Sequence, residues 1–513
     1  MNLRIDSGNG QRTVNKTASN LFYFSVAVVV VKIIGALTTF IVAKVLSPGD
    51  FGIWVTLLVV GSFSSIICLG TLESLIKLFP FYTGKGETDK ARDLESGALG
   101  SIVIAAAALC ILGATFHFFV SAAGPLAPFI PYIRIIAASS ALGVFSAFFY
   151  HRFMAHQDFK FVSAIDSMRS VSMFVFIVPF SWLWGLTGAV AAILFNEAVM
   201  LLISFFVNKR TLGSVRPQFI PRQLADLVRI GFPITIIWWT YMFQTTIDRV
   251  LSISLLGKNQ AGYYGLGASI VSALVLIPMV LGRVLYPKVN EEIGKNAGQT
   301  ELLSYVIMPA QALAILLPVI IGTLVIAIPD LYRLLFAKYV PGILSAQVLL
   351  LGAYFVCLIR SGVNYLVAID KQNRVLAYAA ASLFVNVGLS VALVKLGYGI
   401  LGISIGMGVS GAVLATLLWK SVFKQLGYTF KNQVAGVYTL YLPFLICCAL
   451  IGLATWAMRP APQAFGVLIR SGCAALFLAL YCLAIAVIPP LNAWSKALFG
   501  RIKPVIMPVR TVS

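Results

Sequence analysis

The chain is a succession of apolar runs, each close to the ~20 residues a helix needs to cross a bilayer, and no single soluble core can absorb so many of them. About fourteen such runs are separable along its 513 residues, of which 60% are hydrophobic and only 11% charged. Their cores lie at 22–45, 52–76, 98–120, 130–150, 168–184, 187–207, 230–256, 263–287, 304–327, 343–367, 376–395, 399–419, 437–457 and 466–488. In hydrocarbon each backbone amide must be satisfied inside its own helix or in a closed barrel, and runs of this length select helices. The expectation is an all-α integral membrane protein.

The formal net charge of +21 is unevenly placed. With the N-terminus in the cytoplasm, most Lys and Arg fall on the tails and on the loops that share its side, the asymmetry expected of cytoplasmic loops. Both termini are therefore expected in the cytoplasm, and the charge is read as facing anionic lipid, not nucleic acid. The stretch 208–229 alone holds Lys209, Arg210, Arg216, Arg222 and Arg229 and reads as a topology anchor. The polar, basic first twenty residues run directly into a full-length span, so no cleaved signal peptide is expected. All seven cysteines lie within apolar runs and form no Cys-x-x-Cys pair, which gives no reason to expect a disulfide framework or a metal site.

An internal repeat organises the spans. "AKVLSPGDFGIW" (Ala43 to Trp54) has a relative in "SLLGKNQAGYYG" (Ser254 to Gly265); Gly52 matches Gly262, Pro80 matches Pro287 and Ala155 matches Ala368, a period of about 210 residues. The expected division is a tail at 1–21, a six-helix bundle at 22–207, a basic linker at 208–229, a second six-helix bundle at 230–420, two further helices at 437–488 and a tail at 489–513. Six spans is an even number, so both copies enter the membrane in the same sense, and such repeats line a substrate cleft in many transporters.

The run "KIIGALTTFIVAKVLSPGDFGIWVTLLVVGSFSSIICLGTLESLIKLFP", followed by "LVRIGFPITIIWWTYMFQTTIDRVLSISLLGKNQAGYYGLGASIVSALVLIPMVLGRVLYPKV" and "PDLYRLLFAKYVPG", resembles the polysaccharide transport branch of the MOP exporter superfamily, the Wzx-type flippases. The resemblance covers roughly residues 20 to 425. It implies two pseudo-symmetric six-helix bundles plus two C-terminal helices in a MOP/MATE-like fold of the bacterial inner membrane. It also implies a cargo, an undecaprenyl-pyrophosphate-linked oligosaccharide carried to the periplasmic leaflet by alternating access of a cationic central cavity. Expected partners are that glycan, the bilayer, and a polysaccharide polymerase with its chain-length machinery.

Within the spans the bases Lys32, Arg134, Arg249, Arg283, Arg360 and Arg470 outnumber the acids Glu73, Glu197 and Asp248. That balance favours an anionic cargo, since a lysine meets a pyrophosphate as a point charge and an arginine grips it through two parallel hydrogen bonds. Lys32, Arg283, Arg249 and Arg360 are the expected pyrophosphate contacts. Lys32 lies near the centre of its span, where a charge costs ~2.5–3.5 kcal/mol and so faces protein or a water-filled path; the competing expectation is a static pair with Glu197. Arg283 and Arg360 lie nearer the ends of their spans and could snorkel, and Arg134 and Arg470 read first as periplasmic anchors.

Trp238, Tyr241, Thr245 and Asp248 recur at helical spacing on one face of the seventh run, a stripe that suits sugar rings and hydroxyls but equally suits packing. Glu197 and Asp248 are the deep acids and hence the candidates for proton or sodium coupling. Glu73 and Lys77 stand at i,i+4 spacing and read as a surface ion pair.

Two rival readings remain. A MATE-like multidrug antiporter fits the repeat, but a cavity for cationic drugs calls for acids, not an excess of bases. A membrane glycosyltransferase or polymerase needs room outside the bilayer, and the connections here are short. No Walker sequence is present, and no catalytic residue or cofactor is expected.

Overall fold

The computed structural model describes residues 31, 33–119, 127–276, 278–279, 281–282, 285, 289, 299–457, 466–489 and 491–492. Among them regular structure is entirely helical. Following an apolar helix α1 (Ile33–Val45) come α2 (Pro48–Ser62), α3 (Thr71–Gly84), α4 (Thr88–Phe119), α5 (Ile130–Ala155), α6 (Phe159–Leu212), α7 (Pro221–Leu256) and α8 (Lys258–Leu274). The remainder are α9 (Gln299–Leu335), α10 (Ile343–Ala368), α11 (Gln372–Lys395), α12 (Gly399–Gln425), α13 (Phe430–Ala457) and α14 (Gly466–Val487). Ten segments among the described residues are long and apolar enough to cross a membrane.

One place departs from a simple reading of one span per apolar run. The run 52–76 is not one helix: α2 gives way to a 3-10 turn, Phe63–Cys68, and the chain passes through left-handed Leu69 (φ 48°) and Gly70 (φ 83°) before α3 begins. Hydropathy averaged over a window cannot register a break whose residues are themselves apolar. Gly70 is needed there twice over, for its positive φ and because a Cβ would come 2.6 Å from the amide nitrogen of Phe232. The runs 168–184 and 187–207 both fall on α6, as two helical stretches that meet at a kink at Gly185 (φ 59°, ψ −136°), a backbone conformation open essentially to glycine. Trp182 and Trp184 flank that bend and are 76% and 60% exposed, as aromatic side chains at a membrane surface are.

The chain divides into two compact units, Met1–Val45 with Leu57–Trp239, and Leu46–Thr56 with Thr240–Ser513. In the first, α3, α4 and α5 enclose Leu75, Ile102, Val144, Phe148 and Leu227. In the second, α9 and α10 carry much of the core, including Tyr332, Tyr354 and Ala314. Helix α9 contains Pro309, Pro318 and Pro329, and each proline deprives the carbonyl four residues earlier of its helical donor. The carbonyl freed by Pro329, that of Val325, accepts instead from Gln347 Nε2 on α10 at 2.8 Å, the compensation an apolar environment requires.

The two last helices pack in this same unit. Tyr481 of α14 donates to the Ile315 carbonyl of α9 at 2.9 Å, Tyr354 of α10 to the Leu440 carbonyl of α13 at 2.5 Å, and Arg470 pairs with Asp330. Arg470, expected as an interfacial anchor, is thus also a tether between α14 and α9. Among the described residues no ion pair joins Glu73 to Lys77; Pro80, within α3, follows them.

Candidate functional site

In the first unit two polar clusters sit among apolar helices. Arg152 of α5 is 3% exposed, as is Glu95 of α4. Arg152 Nε donates to Glu95 Oε1 at 2.9 Å and its Nη2 to Oε2 at 3.0 Å. The remaining donors reach Asn208 Oδ1 and the carbonyls of Gly213 and Leu212, so the C-terminus of α6 is bound into the same knot. His156 adds a contact of 2.7 Å from Nε2 to Glu95 Oε1, with its ring tilted against Phe79 of α3, centroids 4.2 Å apart. Every donor of this buried guanidinium is directed at a protein acceptor, which marks it as a structural clamp and not a free anion site.

The second cluster joins the two halves of α6 to α5. Arg169 Nη1 donates to Glu197 Oε1 at 2.6 Å and Nη2 to Ser146 Oγ at 2.8 Å. Beside it Ser172 donates to Asn196 Oδ1 at 2.6 Å. Glu197 therefore has a partner in Arg169. Its second oxygen, Oε2, is buried without a hydrogen-bond partner and lies against Gly143. The sequence reading passes over both Arg152 and Arg169, because each falls at the margin of a run and its acid lies 57 or 28 residues away. Nothing local signals such pairs.

In the second unit, Asp248 of α7 is buried and accepts a hydrogen bond from Tyr264 of α8, while its Oδ1 has no partner. Arg249 forms no ion pair with it among the described residues and makes a long contact to Ser272 Oγ at 3.4 Å. On α7, α11 and α12, Gln244 donates to Ser382 at 2.7 Å and Ser382 to the Ser410 carbonyl at 2.7 Å. Arg360 of α10 lines a small pocket with Ser361, Asn364, Gly282, Tyr305 and Pro309. Its Nε and the Ser361 hydroxyl are buried and unpartnered, and Asn364 Nδ2 donates to the Gly282 carbonyl at 3.1 Å. Neither Arg249 nor Arg360 forms an ion pair among the described residues.

Of the other expected contacts, Lys32 and Arg283 lie outside the described residues. Trp238, Tyr241 and Thr245 lie on α7, but their side chains are likewise outside them.

The family described as "Polysaccharide biosynthesis protein" matches residues 17–291. The "Putative O-antigen transporter" of Shigella flexneri is 22% identical over 253 residues, 48% of this chain and 58% of that protein, so the chain spans a little over half the length of that relative. Among solved structures, the lipid II flippase MurJ in an inward closed conformation has a TM-score of 0.70 at 15% identity, covering 91% of this chain and 99% of its own. An inward-facing multidrug resistance MATE transporter of the MOP superfamily has a TM-score of 0.65 at 15% identity, covering 77% and 94%. A point mutant of the Vibrio cholerae MATE transporter VcmN has a TM-score of 0.55 at 17% identity, covering 81% and 98%. At these identities the likeness is one of fold.

Proposed function

Since this chain belongs to the polysaccharide biosynthesis protein family, which matches more than half of it, we propose that it is a flippase for undecaprenyl-pyrophosphate-linked oligosaccharide in the bacterial inner membrane. The fold is shared with flippases and with multidrug transporters alike, so the cargo must be argued from side chains. The observation that carries the reading is the state of the span arginines. Where an acid is available the structure uses it, as in Arg152–Glu95, Arg169–Glu197 and Arg470–Asp330. Arg249 and Arg360 are left with guanidinium donors that no carboxylate answers among the described residues.

An uncompensated cation within a bilayer is costly and usually marks a substrate path. A diphosphate supplies what these groups lack, several anionic oxygens in the geometry of the guanidinium fork. Lys32 and Arg283 would contribute further positive charge, and Trp238, Tyr241 and Thr245 an aromatic and hydroxylic face for sugar. Cargo release then follows from alternating access, with Glu197 or Asp248 coupling a proton or sodium ion to the cycle. A cationic drug would find no counter-charge at Arg360 among the described residues, which sets the multidrug reading second.

The test is disruption of the gene in its host. Lipid-linked oligosaccharide should accumulate and surface polysaccharide should fall, with both restored by the wild-type gene. An unchanged surface glycan with no accumulated intermediate overturns the reading.

A further inference from the structure

We infer that the strap between α6 and α7, residues 213–220 with the first turn of α7, is a docking surface for anionic phospholipid, held rigidly on the first unit at the depth of the lipid headgroups. Such a surface operates whatever the cargo.

The strap is extended, yet it is pinned along its length. Arg152 donates to the carbonyls of Leu212 and Gly213 at 3.1 Å and 2.9 Å, and Gly213 (φ 80°) ends α6. Val215 packs on the core formed by α3, α4 and α5. The Gln218 amide donates to the Ser96 carbonyl of α4 at 2.9 Å, and a Cβ on Gly100 would strike the Gln218 carbonyl. Past the strap Leu227 is buried, and its carbonyl accepts from Ser74 of α3 at 2.5 Å. A backbone bound at both ends and in the middle keeps its outward side chains in fixed places.

The same contacts set its depth. Gly100 lies inside the apolar run 98–120 and, by helical rise, about 7 Å further into the span than Glu95. Glu95 is joined through Arg152 to Asn208, the neighbour of Lys209. On α6 the exposed side chains pass from Leu202, Phe205 and Phe206 to Lys209 and Arg210, the change from acyl chains to headgroups that a span end shows. The residues next to Gln218 therefore stand at the acyl boundary. They are Phe219 and Ile220, 54% and 48% exposed, and Arg216 and Arg222 on either side of them are exposed as well. Apolar side chains set between arginines suit a segment lying in the interface, with its apolar groups among the acyl chains and its cations at the phosphates.

Charge selects the lipid. Between Asn208 and Arg229 the bases Lys209, Arg210, Arg216, Arg222 and Arg229 face one acid, Asp226. None of Lys209, Arg210, Arg216 and Arg222 has an ion pair among the described residues. A zwitterionic headgroup brings its own cation and leaves these charges unanswered. An anionic one supplies net negative charge, worth about fivefold in affinity for each base near the surface. A soluble acidic protein would meet the arginines but would not reach Phe219 and Ile220 at the depth of the apolar run. A topology anchor needs charge alone; this surface needs its placement too.

The experiment uses the purified full-length chain without native cysteines, carrying bimane on Ile220→Cys, in nanodiscs of equal parts phosphatidylcholine and phosphatidylglycerol. A nitroxide on the acyl chains of one lipid or of the other quenches the dye according to which lipid lies against the strap. Quenching by labelled phosphatidylglycerol should exceed that by labelled phosphatidylcholine, and the same label on Phe219→Cys should give the same order. Arg216→Gln and Arg222→Gln should each lower the relative affinity for phosphatidylglycerol about fivefold, with the unfolding midpoint unchanged. Lys371→Gln with Arg374→Gln, which removes two charges at the start of α11, should leave the preference at the strap as it is. Absence of quenching by either lipid would place the strap in water, open to a soluble partner. Equal quenching by the two would make it an apolar contact without headgroup choice, and a matching fall in the Lys371 and Arg374 variant would make the preference a property of the whole charged face. Each of these three results overturns the lipid site.

Discussion

Gly52 and Gly262, which occupy matching positions in the 210-residue repeat, are packed against one another within the second unit. A Cβ built on Gly52 would come 2.7 Å from the amide nitrogen of Gly262, and one built on Gly262 would strike the backbone of Pro48. The helix starts at Pro48 and Lys258 touch backbone to backbone, and neither position has room for a side chain. Gly52→Ala and Gly262→Ala should each destabilise the protein by about 1–3 kcal/mol through overpacking. Gly61→Ala, whose Cβ would find its nearest neighbours at 3.9 Å, should be close to neutral. Thermal unfolding in detergent, followed by intrinsic fluorescence, reads the difference.

The Arg152 clamp predicts an asymmetry between single and double variants. Arg152→Met strands a buried Glu95 and Glu95→Met strands a buried guanidinium, each costing about 3–5 kcal/mol, whereas the double Met variant should recover much of the loss. Folded yield in the membrane and the unfolding midpoint are the measurements. Equal losses in all three variants would mean the clamp acts through volume and not through charge.

Asp248 and Tyr264 give a different expectation. Tyr264→Phe removes the hydrogen bond to a buried carboxylate whose other oxygen is already unpartnered, a loss of about 1–3 kcal/mol. Asp248→Asn removes the charge but keeps an acceptor for the phenol, so it should preserve or raise stability. Glycan export should then separate the two deep acids, Glu197→Gln impairing it and Asp248→Asn leaving it nearly intact. Normal export from both variants under every ion gradient would exclude coupling through either acid.

The bilayer orientation is tested at two exposed turns. Lys85, between α3 and α4, should be cytoplasmic and Tyr398, between α11 and α12, periplasmic, as the Lys and Arg asymmetry requires. In a background without native cysteines, Lys85→Cys should resist a membrane-impermeant thiol reagent in whole cells and Tyr398→Cys should react. The reverse pattern would invert the topology.

Much of the fold was legible from the sequence because the physical constraint is one-dimensional. A helix must carry about 20 apolar residues to cross hydrocarbon, and the apolar runs fall mostly on helical residues where these are described, with the break at Leu69–Gly70 inside one of them. What escaped was three-dimensional. The break at Leu69–Gly70 lies in residues as apolar as a helix, so its cause is the close approach of Gly231 and not composition. The pairs Arg152–Glu95 and Arg169–Glu197 unite residues on different spans, and the sequence points to an arginine without naming its acid. Glu197 and Asp248 were recognisable by depth alone, yet their environments differ, one facing a cation and the other a phenol, and only packing decides that.

The most direct test of the flippase account is the amount of undecaprenyl-pyrophosphate-linked oligosaccharide in cells lacking the gene and carrying variants at equal protein levels. The account predicts accumulation of that intermediate in the deletion strain and clearance by wild type. Arg360→Lys and Lys32→Arg should clear it in part, and Arg360→Met and Lys32→Met should leave most of it in place. Clearance by Arg360→Met and Lys32→Met to the wild-type level would contradict it, because a path stripped of those cations would still be moving a diphosphate.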